Sequence, residues 1–364
     1  MHLLLACERS CPHTGKSRDT LKQQASELKG SGIDMASTAI SLSRRVIGKR
    51  WPPSRSVDSS SLLLVFAHAT GFCKEVWNPV IDYLDGMFTE AGMLVRTVTF
   101  DFTGHGDSRE RATYYGSSTP LWMNFCPKDI LEVLSGDETA ASKRVIGIGH
   151  SMGAAGIVFT ELQHPGTFDA LVLHEPILFP PTADGIPTNT KGKNPLSARA
   201  RKRRFQWSTF EDAYASLRNR GVFKTFDDQT LRCYVNNALY HNSDTATVDL
   251  KCTPAFEAQM YEQPPVTVWN QLHSIHGETL VVVGESSTHM SGFPGYSNTV
   301  DLYRDMAKHF APPKAAPRGN PKSTRLFVFP GNGHFAPLEK PDRFAALVFE
   351  QCVPFKPLSI HPRM

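Results

Sequence analysis

The stretch Arg144-Val-Ile-Gly-Ile-Gly-His-Ser-Met-Gly-Ala-Ala-Gly156 decides the fold. Residues 144–148 form an apolar, β-branched run of the kind that makes a buried strand. Gly149-His-Ser-Met-Gly153 follows at once and has the Gly-x-Ser-x-Gly pattern of a sharp strand-to-helix turn. A small-residue helix is predicted over 152–163. In such a turn Ser151 stands at the apex, and both glycines permit close approach of the backbone.

Further apolar runs of four to six residues repeat this strand pattern along the chain: Leu62–Ala67, Val95–Phe100, Ala170–Leu173, Thr279–Val283 and Arg325–Phe329. They are bounded by Gly, Asp or Pro, which is typical of strands buried on both faces of a parallel sheet. The intervals accommodate crossover helices, predicted over 76–88 and 120–134. The sequence therefore predicts an α/β fold with a mostly parallel, doubly wound sheet.

One long interval interrupts this alternation. About a hundred residues between positions 174 and 279 lack strand periodicity, and helical spacing appears over 209–220 and 229–240. An insertion after a central strand predicts a helical lid over the carboxyl edge, where ligands bind in open α/β sheets. Residues 1–58 are rich in Ser, Lys and Arg and show no clear period. The predicted organisation is a poorly ordered extension (1–58), a core (59–176 and 277–352), a helical lid (177–276) and a tail (353–364).

Charge and cysteine content exclude several classes of protein. The chain has 39 Lys and Arg against 35 Asp and Glu, and residues 1–60 hold ten of the bases but only five of the acids. The remainder is thus nearly neutral, without the basic footprint of a nucleic-acid binder. Seven scattered cysteines fit neither a disulfide framework nor a paired zinc site, which favours a reducing, intracellular compartment. No apolar run approaches the roughly 18 residues of a membrane span.

A serine hydroxyl becomes nucleophilic when a histidine accepts its proton and an acid orients that histidine. His334 lies on a glycine-rich loop after the last predicted strand, before a helix predicted over 338–351. Because the carboxyl ends of parallel strands meet at one edge, we expect His334 beside Ser151. His150 is assigned to packing in the turn, and His68 to shaping a loop.

Two glutamates compete for the role of the acid. Glu175 stands at the carboxyl tip of a predicted strand, 24 residues after Ser151. Glu285 follows the next strand in Gly284-Glu-Ser-Ser287, where the position that often bears an aspartate is Ser287. The chain order serine, acid, histidine is satisfied by either glutamate. We favour Glu175 and keep Glu285 as the alternative.

An oxyanion formed during acyl transfer needs two backbone N–H donors. The Met152 N–H at the helix N-terminus is the first candidate. The second is the Thr70 N–H in His68-Ala-Thr-Gly-Phe72, a loop after an earlier strand in which Gly71 allows the turn. The stretch from Asp101 to Ser108 is interpreted as shaping a neighbouring loop, with Asp107 as a turn residue.

The predicted lid begins with seven Lys and Arg and no acid over 191–204. Two interpretations stay open: a solvated helix face, or a clamp for an anionic group such as the phosphates of coenzyme A. Most lid aromatics are expected in the lid core and some in an apolar acyl pocket; they are Phe205, Trp207, Phe210, Tyr214, Phe223, Phe226 and Tyr234.

The motifs resemble those of the α/β-hydrolase superfamily over about residues 60–352, at His68–Phe72, Asp101–Ser108, Gly149–Ala154 and His174–Ile177. Within it, they are similar to hydrolases of fungal toxin biosynthesis of the AK-toxin type and to a related peroxisomal group of acyl-CoA hydrolases and lipases. Residues 1–58 depart from the N-terminal strands of such proteins. Members of the group often end in a peroxisomal Ser-Lys-Leu-like tripeptide, whereas this chain ends Pro362-Arg-Met364, so a peroxisomal and a cytoplasmic location both stay open.

The resemblance implies a hydrolase acting on an ester or thioester of a small acyl molecule, such as a coenzyme A thioester. It also implies Ser151 as nucleophile, Glu175 as acid and His334 as base, without a metal or redox cofactor. Two alternatives remain. An acyltransferase or cyclase would use the same acyl-enzyme, and a ligand-binding protein would keep the scaffold with little turnover.

Overall fold

A computed structural model describes residues 42–47, 62–93, 95–115, 122–136, 142, 144–181, 195–262, 267–275, 277–293, 295–310 and 324–353. All of them belong to a compact unit that begins at residue 40. Three predicted features lie outside the described residues: most of the extension 1–58, the Pro-rich stretch 311–321, and residues 354–364 of the tail with its final tripeptide.

Within the described ranges, ten strands form two sheets: β1 (Arg44–Ile47), β2 (Leu62–Ala67), β3 (Val95–Phe100), β4 (Arg144–His150), β5 (Ala170–His174), β6 (Gln206–Trp207), β7 (Leu239–Asn242), β8 (Thr247–Leu250), β9 (Glu278–Gly284) and β10 (Thr324–Phe329). The large sheet has the order β1-β3-β2-β4-β5-β9-β10. Its last six strands in this order are parallel, and β1 pairs antiparallel with β3 at the edge.

The helices are α1 (Asn78–Glu90), α2 (Trp122–Leu134), α3 (Met152–Gln163), α4 (Pro195–Lys202), α5 (Phe210–Arg218), α6 (Asp228–Ala238), α7 (Pro254–Tyr261), α8 (Thr299–His309), α9 (Ala336–Glu339) and α10 (Pro341–Cys352). Short 3₁₀ helices span Lys74–Trp77, Gly106–Tyr115, Gly221–Lys224 and Trp269–Ser274. Polar caps start several α-helices, because the side chains of Thr209, Asp227, Thr253 and Asn298 each accept a backbone N–H of the first turn.

The central strands of the large sheet are buried on both faces, as the sequence of β2 illustrates. All six of its residues are buried. Leu62, Leu64 and Phe66 pack in the core that contains α1 and α10, whereas the alternate residues 63, 65 and 67 pack in the core that contains α2, α3 and α8. A continuously apolar run is thus a strand with helices on either side, and the predicted doubly wound α/β architecture is confirmed.

The structure differs from the sequence-based prediction in three places. Strand β1 lies inside 1–58, where no strand was predicted. The insertion is not wholly helical, because β6, β8 and β7 form a three-stranded antiparallel sheet within it. The helix predicted over 338–351 is two helices separated at Lys340, since Pro341 starts α10 and cannot donate to the preceding turn.

The topology brings the carboxyl ends of β2, β4, β5, β9 and β10 to one edge of the large sheet. The loops that carry the predicted site residues all leave the sheet there. No helix in the described ranges is both long enough and apolar enough to cross a membrane.

Candidate active site

Ser151 occupies a strained turn between β4 and α3. Its φ of 56° lies in the left-handed region, which a residue with a side chain rarely adopts. A Cβ on Gly153 would lie 2.2 Å from the Ala67 carbonyl oxygen, so only glycine lets α3 begin against the end of β2. The strain is held by tertiary structure, since the Ser151 N–H donates to the His174 carbonyl at 2.9 Å on the neighbouring strand.

Glu175 is fully buried at the tip of β5, with a left-handed φ of 43°. Its carboxylate accepts three hydrogen bonds. The Gly284 N–H donates to Oε1 at 2.9 Å, the Ser287 hydroxyl donates to Oε2 at 2.8 Å, and His334 Nδ1 donates to Oε2 at 2.6 Å. A buried carboxylate is stabilised as an anion by donors of this kind.

His334 follows β10 on a glycine-rich loop and is 8% exposed. Because Nδ1 donates to Glu175, Nε2 is the ring atom left to accept a proton. Burial lowers the pKa of His334 below its ordinary value, so the ring is neutral at pH 7. A neutral, oriented imidazole is the form that acts as a general base.

The backbone of His334 is fixed by two further histidines. Nε2 of His150 donates to the His334 carbonyl at 2.8 Å, and Nε2 of His174 donates to the same oxygen at 3.0 Å. His150 precedes Ser151 and His174 precedes Glu175, so one carbonyl links the positions of His334, Ser151 and Glu175. The predicted packing role of His150 therefore includes this hydrogen bond.

The two candidate oxyanion donors lie on adjoining elements. Met152 is the first residue of α3, where backbone N–H groups have no acceptor within the helix. Thr70 lies in the loop after β2 and is 5% exposed. The same loop is shaped by His68, whose Nδ1 donates to the Ala69 carbonyl at 2.8 Å while Nε2 accepts the Phe102 N–H at 3.1 Å. Burial lowers the pKa of His68 to about 4, consistent with its predicted structural role.

A cluster of charged side chains lies next to the Thr70 loop. Lys74 Nζ lies 2.7 Å from Asp101 Oδ2, 2.8 Å from Asp107 Oδ2 and 2.9 Å from Glu75 Oε1. Lys74 is buried, and its backbone N–H also donates to Asp101. Asp107 pairs in addition with Lys251 of the insertion. The predicted turn residue Asp107 thus joins the core to the insertion.

Helix α7 of the insertion covers the edge of the sheet. The Phe256 ring occupies the space next to Gly104, where a Cβ would lie 2.2 Å from it. A Cβ on Gly71 would lie 3.1 Å from the Glu257 carboxyl group, and Gly71 has a φ of 80°. Arg203 holds that carboxylate at 2.5 Å and also donates to the Tyr234 hydroxyl. The insertion therefore contacts the loop that carries Thr70.

Comparison with known proteins identifies the family. The profile described as the alpha/beta hydrolase family matches residues 64–347. The chain belongs to this family. An abhydrolase domain-containing protein of Alternaria alternata, ACTT2, is 25% identical over 229 residues, which are 56% of this chain and 81% of the relative. The relative AKT2 of the same organism is 24% identical over the same shares.

Yeast Lpx1 is similar in sequence and in fold. The peroxisomal membrane protein LPX1 of Saccharomyces cerevisiae is 27% identical over 152 residues, 37% of this chain and 39% of the relative. The crystal structure of this peroxisomal α/β-hydrolase superposes with a TM-score of 0.64 at 18% identity, covering 89% of this chain and 92% of Lpx1. An E-2-(acetamidomethylene)succinate hydrolase has a TM-score of 0.58 at 18% identity, covering 85% and 94%. These matches confirm the resemblance predicted from the motifs.

The structure separates the two candidate acids of this alpha/beta hydrolase. Glu285 is exposed, and its carboxylate accepts the Gly331 N–H at 2.8 Å. His334 instead contacts Glu175. Ser287, the position where an aspartate was expected, donates to that same glutamate. The two strand ends thus contribute to one hydrogen-bonded group, with the carboxylate on β5 and a hydroxyl after β9.

The sequence analysis assigned no role to His174 or His289, and it did not predict the hydrogen bond that Ser287 donates. The ring of His289 stacks on that of His334 with centroids 3.8 Å apart and planes 7° apart. His289 lies in an irregular segment without strand or helix spacing. Its position after the strand that precedes the base loop is the only signal available to sequence reasoning. His174 forms part of an apolar strand, and sequence reasoning therefore assigns it to the core.

The described part of the cationic stretch is largely paired. Arg201 contacts Glu262, Arg203 contacts Glu257 and Arg204 contacts Asp212. Two further cations, Arg199 and Lys202, are exposed on α4, and residues 191 and 193 lie outside the described ranges. Acids from elsewhere in the insertion therefore neutralise much of a stretch that contains none itself.

The lid aromatics predominantly form core. Phe223, Phe226 and Tyr234 pack around Phe72 of the Thr70 loop, with centroids 5.4 to 6.4 Å from the Phe72 ring. Trp207 is buried, Phe210 and Tyr214 are half-buried, and Phe205 is exposed. Aromatic contacts thus join the insertion to the loop beside the candidate nucleophile.

Proposed function

We propose that this chain is a serine hydrolase that cleaves an ester or thioester. The observation that carries the proposal is the 2.6 Å contact between His334 Nδ1 and the buried Glu175 carboxylate, at the sheet edge that also carries the strained Ser151 turn. An acid that orients a neutral histidine at the same sheet edge as a turn serine is the arrangement that activates a hydroxyl. Membership of the alpha/beta hydrolase family supports the same reaction class.

In the proposed reaction the Ser151 hydroxyl attacks the substrate carbonyl while His334 accepts its proton at Nε2. Glu175 orients the ring and stabilises the imidazolium. The N–H groups of Met152 and Thr70 stabilise the negative oxygen of the tetrahedral intermediate. His334 then gives the proton to the leaving oxygen or sulfur. Water, deprotonated in turn by His334, attacks the acyl-enzyme and releases the acid product.

The test is the intact mass of the protein after treatment with a fluorophosphonate. A single adduct is expected on the wild type and none on Ser151→Ala, because the label requires an activated serine. Ser274→Ala, an exposed serine in a 3₁₀ helix, is the matched control and should label like the wild type. An unlabelled wild type, or a labelled Ser151→Ala, would contradict the proposal.

The proposed substrate is an acyl intermediate of fungal secondary metabolism, including toxin biosynthesis. It rests on the motif resemblance and on the similarity to the Alternaria proteins. Hydrolysis is distinguished from acyl transfer by product analysis with a competing alcohol or amine: only the free acid is expected. Charge reversal at Arg199 and Lys202 tests coenzyme A, because KM should rise for an acyl-CoA but not for an uncharged ester.

We also propose a peroxisomal location. The similarity to yeast LPX1, a protein named as peroxisomal, supports it. A fluorescent fusion that leaves the C-terminus free should coincide with a peroxisomal marker. A diffuse signal would favour the cytoplasm.

A further inference from the structure

His289 forms the closest ring contact described around His334. The two rings are almost parallel, 7° apart, with centroids separated by 3.8 Å, so His289 covers one whole face of the imidazole. The next nearest rings around His334 are inclined to it. His150 lies at 4.8 Å with a tilt of 53°, and Phe335 meets the ring edge-on at 5.1 Å.

Hydrogen bonds link His289 through Ser287 to Glu175, the proposed acid. The backbone N–H of His289 donates to Ser287 Oγ at 3.4 Å, and the Ser287 hydroxyl donates to Glu175 Oε2. His289 is half-buried, whereas His334 is buried. A single short segment after β9 thus contacts the acid with one side chain and the base with another.

We propose that His289 is a positioning residue for His334, whose flat ring holds the imidazole plane and excludes water from one face. This inference rests on the proposed function, because it assigns His334 as the base. A rotation of the His334 ring would break the Nδ1 contact with Glu175, and the stack opposes that rotation. Exclusion of water from the ring face also keeps the neutral imidazole favoured before reaction.

The chemistry requires that His289 itself stay uncharged. When His334 takes the serine proton it becomes an imidazolium, and a neutral π face beside a cation is attractive. A second positive charge at 3.8 Å would instead repel it. Burial, with a smaller contribution from His334, lowers the pKa of His289 to about 3, so the ring is neutral where the base works. The charged or titratable groups around His289 are His334, Glu175 and His150.

Three variants separate ring shape from ring charge. His289→Phe keeps a flat neutral ring, His289→Ala opens the face to water, and His289→Arg places a permanent planar cation over it. The primary readout is the pKa of His334 measured by NMR in the Ser151→Ala background, with assignment from His334→Gln. This readout needs no turnover. A second readout is the rate of fluorophosphonate labelling with Ser151 present.

We expect the pKa of His334 to rise by about one unit in His289→Ala, to stay unchanged in His289→Phe and to fall in His289→Arg. Labelling and kcat should fall about tenfold in His289→Ala with little change in KM, and His289→Phe should retain most of both. The exposed His273→Ala is the matched control and should resemble the wild type.

Two results would overturn the inference. One is a His334 pKa and labelling rate in His289→Ala equal to those of the wild type. The other is a His289→Phe variant as impaired as His289→Ala, because the nitrogens of His289 and not its ring shape would then matter. An unlabelled wild type would refute the proposed function alone, since the NMR series would still report on the stack.

Discussion

Two buried clusters of ionisable groups lie at the carboxyl edge of the sheet, and they differ in how their charge is balanced. Behind the Thr70 loop, Lys74 contacts Asp101, Asp107 and Glu75 within 2.9 Å. Burial alone would lower the pKa of Lys74, but the carboxylates raise it above its ordinary value. In the other cluster the acid Glu175 faces His334, which burial keeps neutral.

The difference separates a structural charge cluster from a reactive one. The ammonium of Lys74 is permanently charged and engaged with carboxylates, so this cluster fixes a loop without exchanging protons. Glu175 has donors on both oxygens, yet its histidine still has a free basic nitrogen. A site for proton transfer therefore needs a basic atom that is not already engaged by its partner. Substitutions in each cluster test this difference.

The largest effect is expected at the acid. Glu175→Gln keeps the shape of the side chain but removes the charge that orients His334 and stabilises the imidazolium. We expect kcat for an activated ester to fall about 10³- to 10⁴-fold, with the thermal unfolding temperature checked alongside. Glu285→Gln is the matched control, because that carboxylate is exposed. A larger loss in Glu285→Gln than in Glu175→Gln would refute the assignment.

A second substitution sharpens this test. The Ser287 hydroxyl is 2.8 Å from the Glu175 oxygen that His334 contacts, so a carboxylate at position 287 would come within reach of the base. Adding Ser287→Asp to Glu175→Gln should restore about tenfold of the lost kcat. The exposed neighbour offers the control, since Ser286→Asp should restore nothing. Equal behaviour of the two double variants would argue against a second acid position.

A smaller effect, on stability, is expected in the charged cluster. Lys74→Met leaves a buried Asp101 without its ammonium and should lower the free energy of unfolding by about 3 kcal/mol in denaturant titrations. Lys251→Met removes the other lysine of Asp107, whose side chain is 50% exposed, and should lower it by at most about 1 kcal/mol. Similar losses in both variants would mean that the burial of the partner carboxylate, Asp101 or Asp107, does not set the cost.

The smallest effect concerns pH. An ordinary histidine with a pKa of about 6.5 would be three-quarters protonated at pH 6, and a base of that kind would lose about fourfold in kcat/KM. Because burial lowers the pKa of His334, it stays neutral through this range, and activity should decline only at lower pH. We expect less than about a twofold loss of kcat/KM between pH 7.5 and pH 6. A midpoint at or above 6.5 would contradict this expectation.

The core was predictable because its strands are buried on both faces. Continuous apolar runs such as Leu62–Ala67 and Val95–Phe100 coincide with the observed strands to the residue. The glycine-flanked Ser151 and the loop histidine His334 follow such runs, so their edge of the sheet could be predicted too. The sequence could not show which of Glu175 and Glu285 contacts His334, since that contact depends on backbone direction at the strand tips.

Other parts carried little sequence signal. Strand β1 is a four-residue edge strand with two arginines, and β6 has only two residues. Neither is long enough for a period to show. The helix predicted to reach residue 240 ends at Ala238, where the chain turns into β7 because hairpin pairing with β8 outweighs helical spacing. Stacking of His289 on His334 depends on tertiary contacts alone.

The single carbonyl of His334, which accepts from His150 and His174, has a consequence for how the protein can change. These two hydrogen bonds, which link the positions of Ser151, Glu175 and His334, lie within the sheet and its loops. The Thr70 loop, in contrast, rests against Glu257 of the insertion. Exchange of the insertion for that of a relative would thus preserve serine labelling while altering turnover.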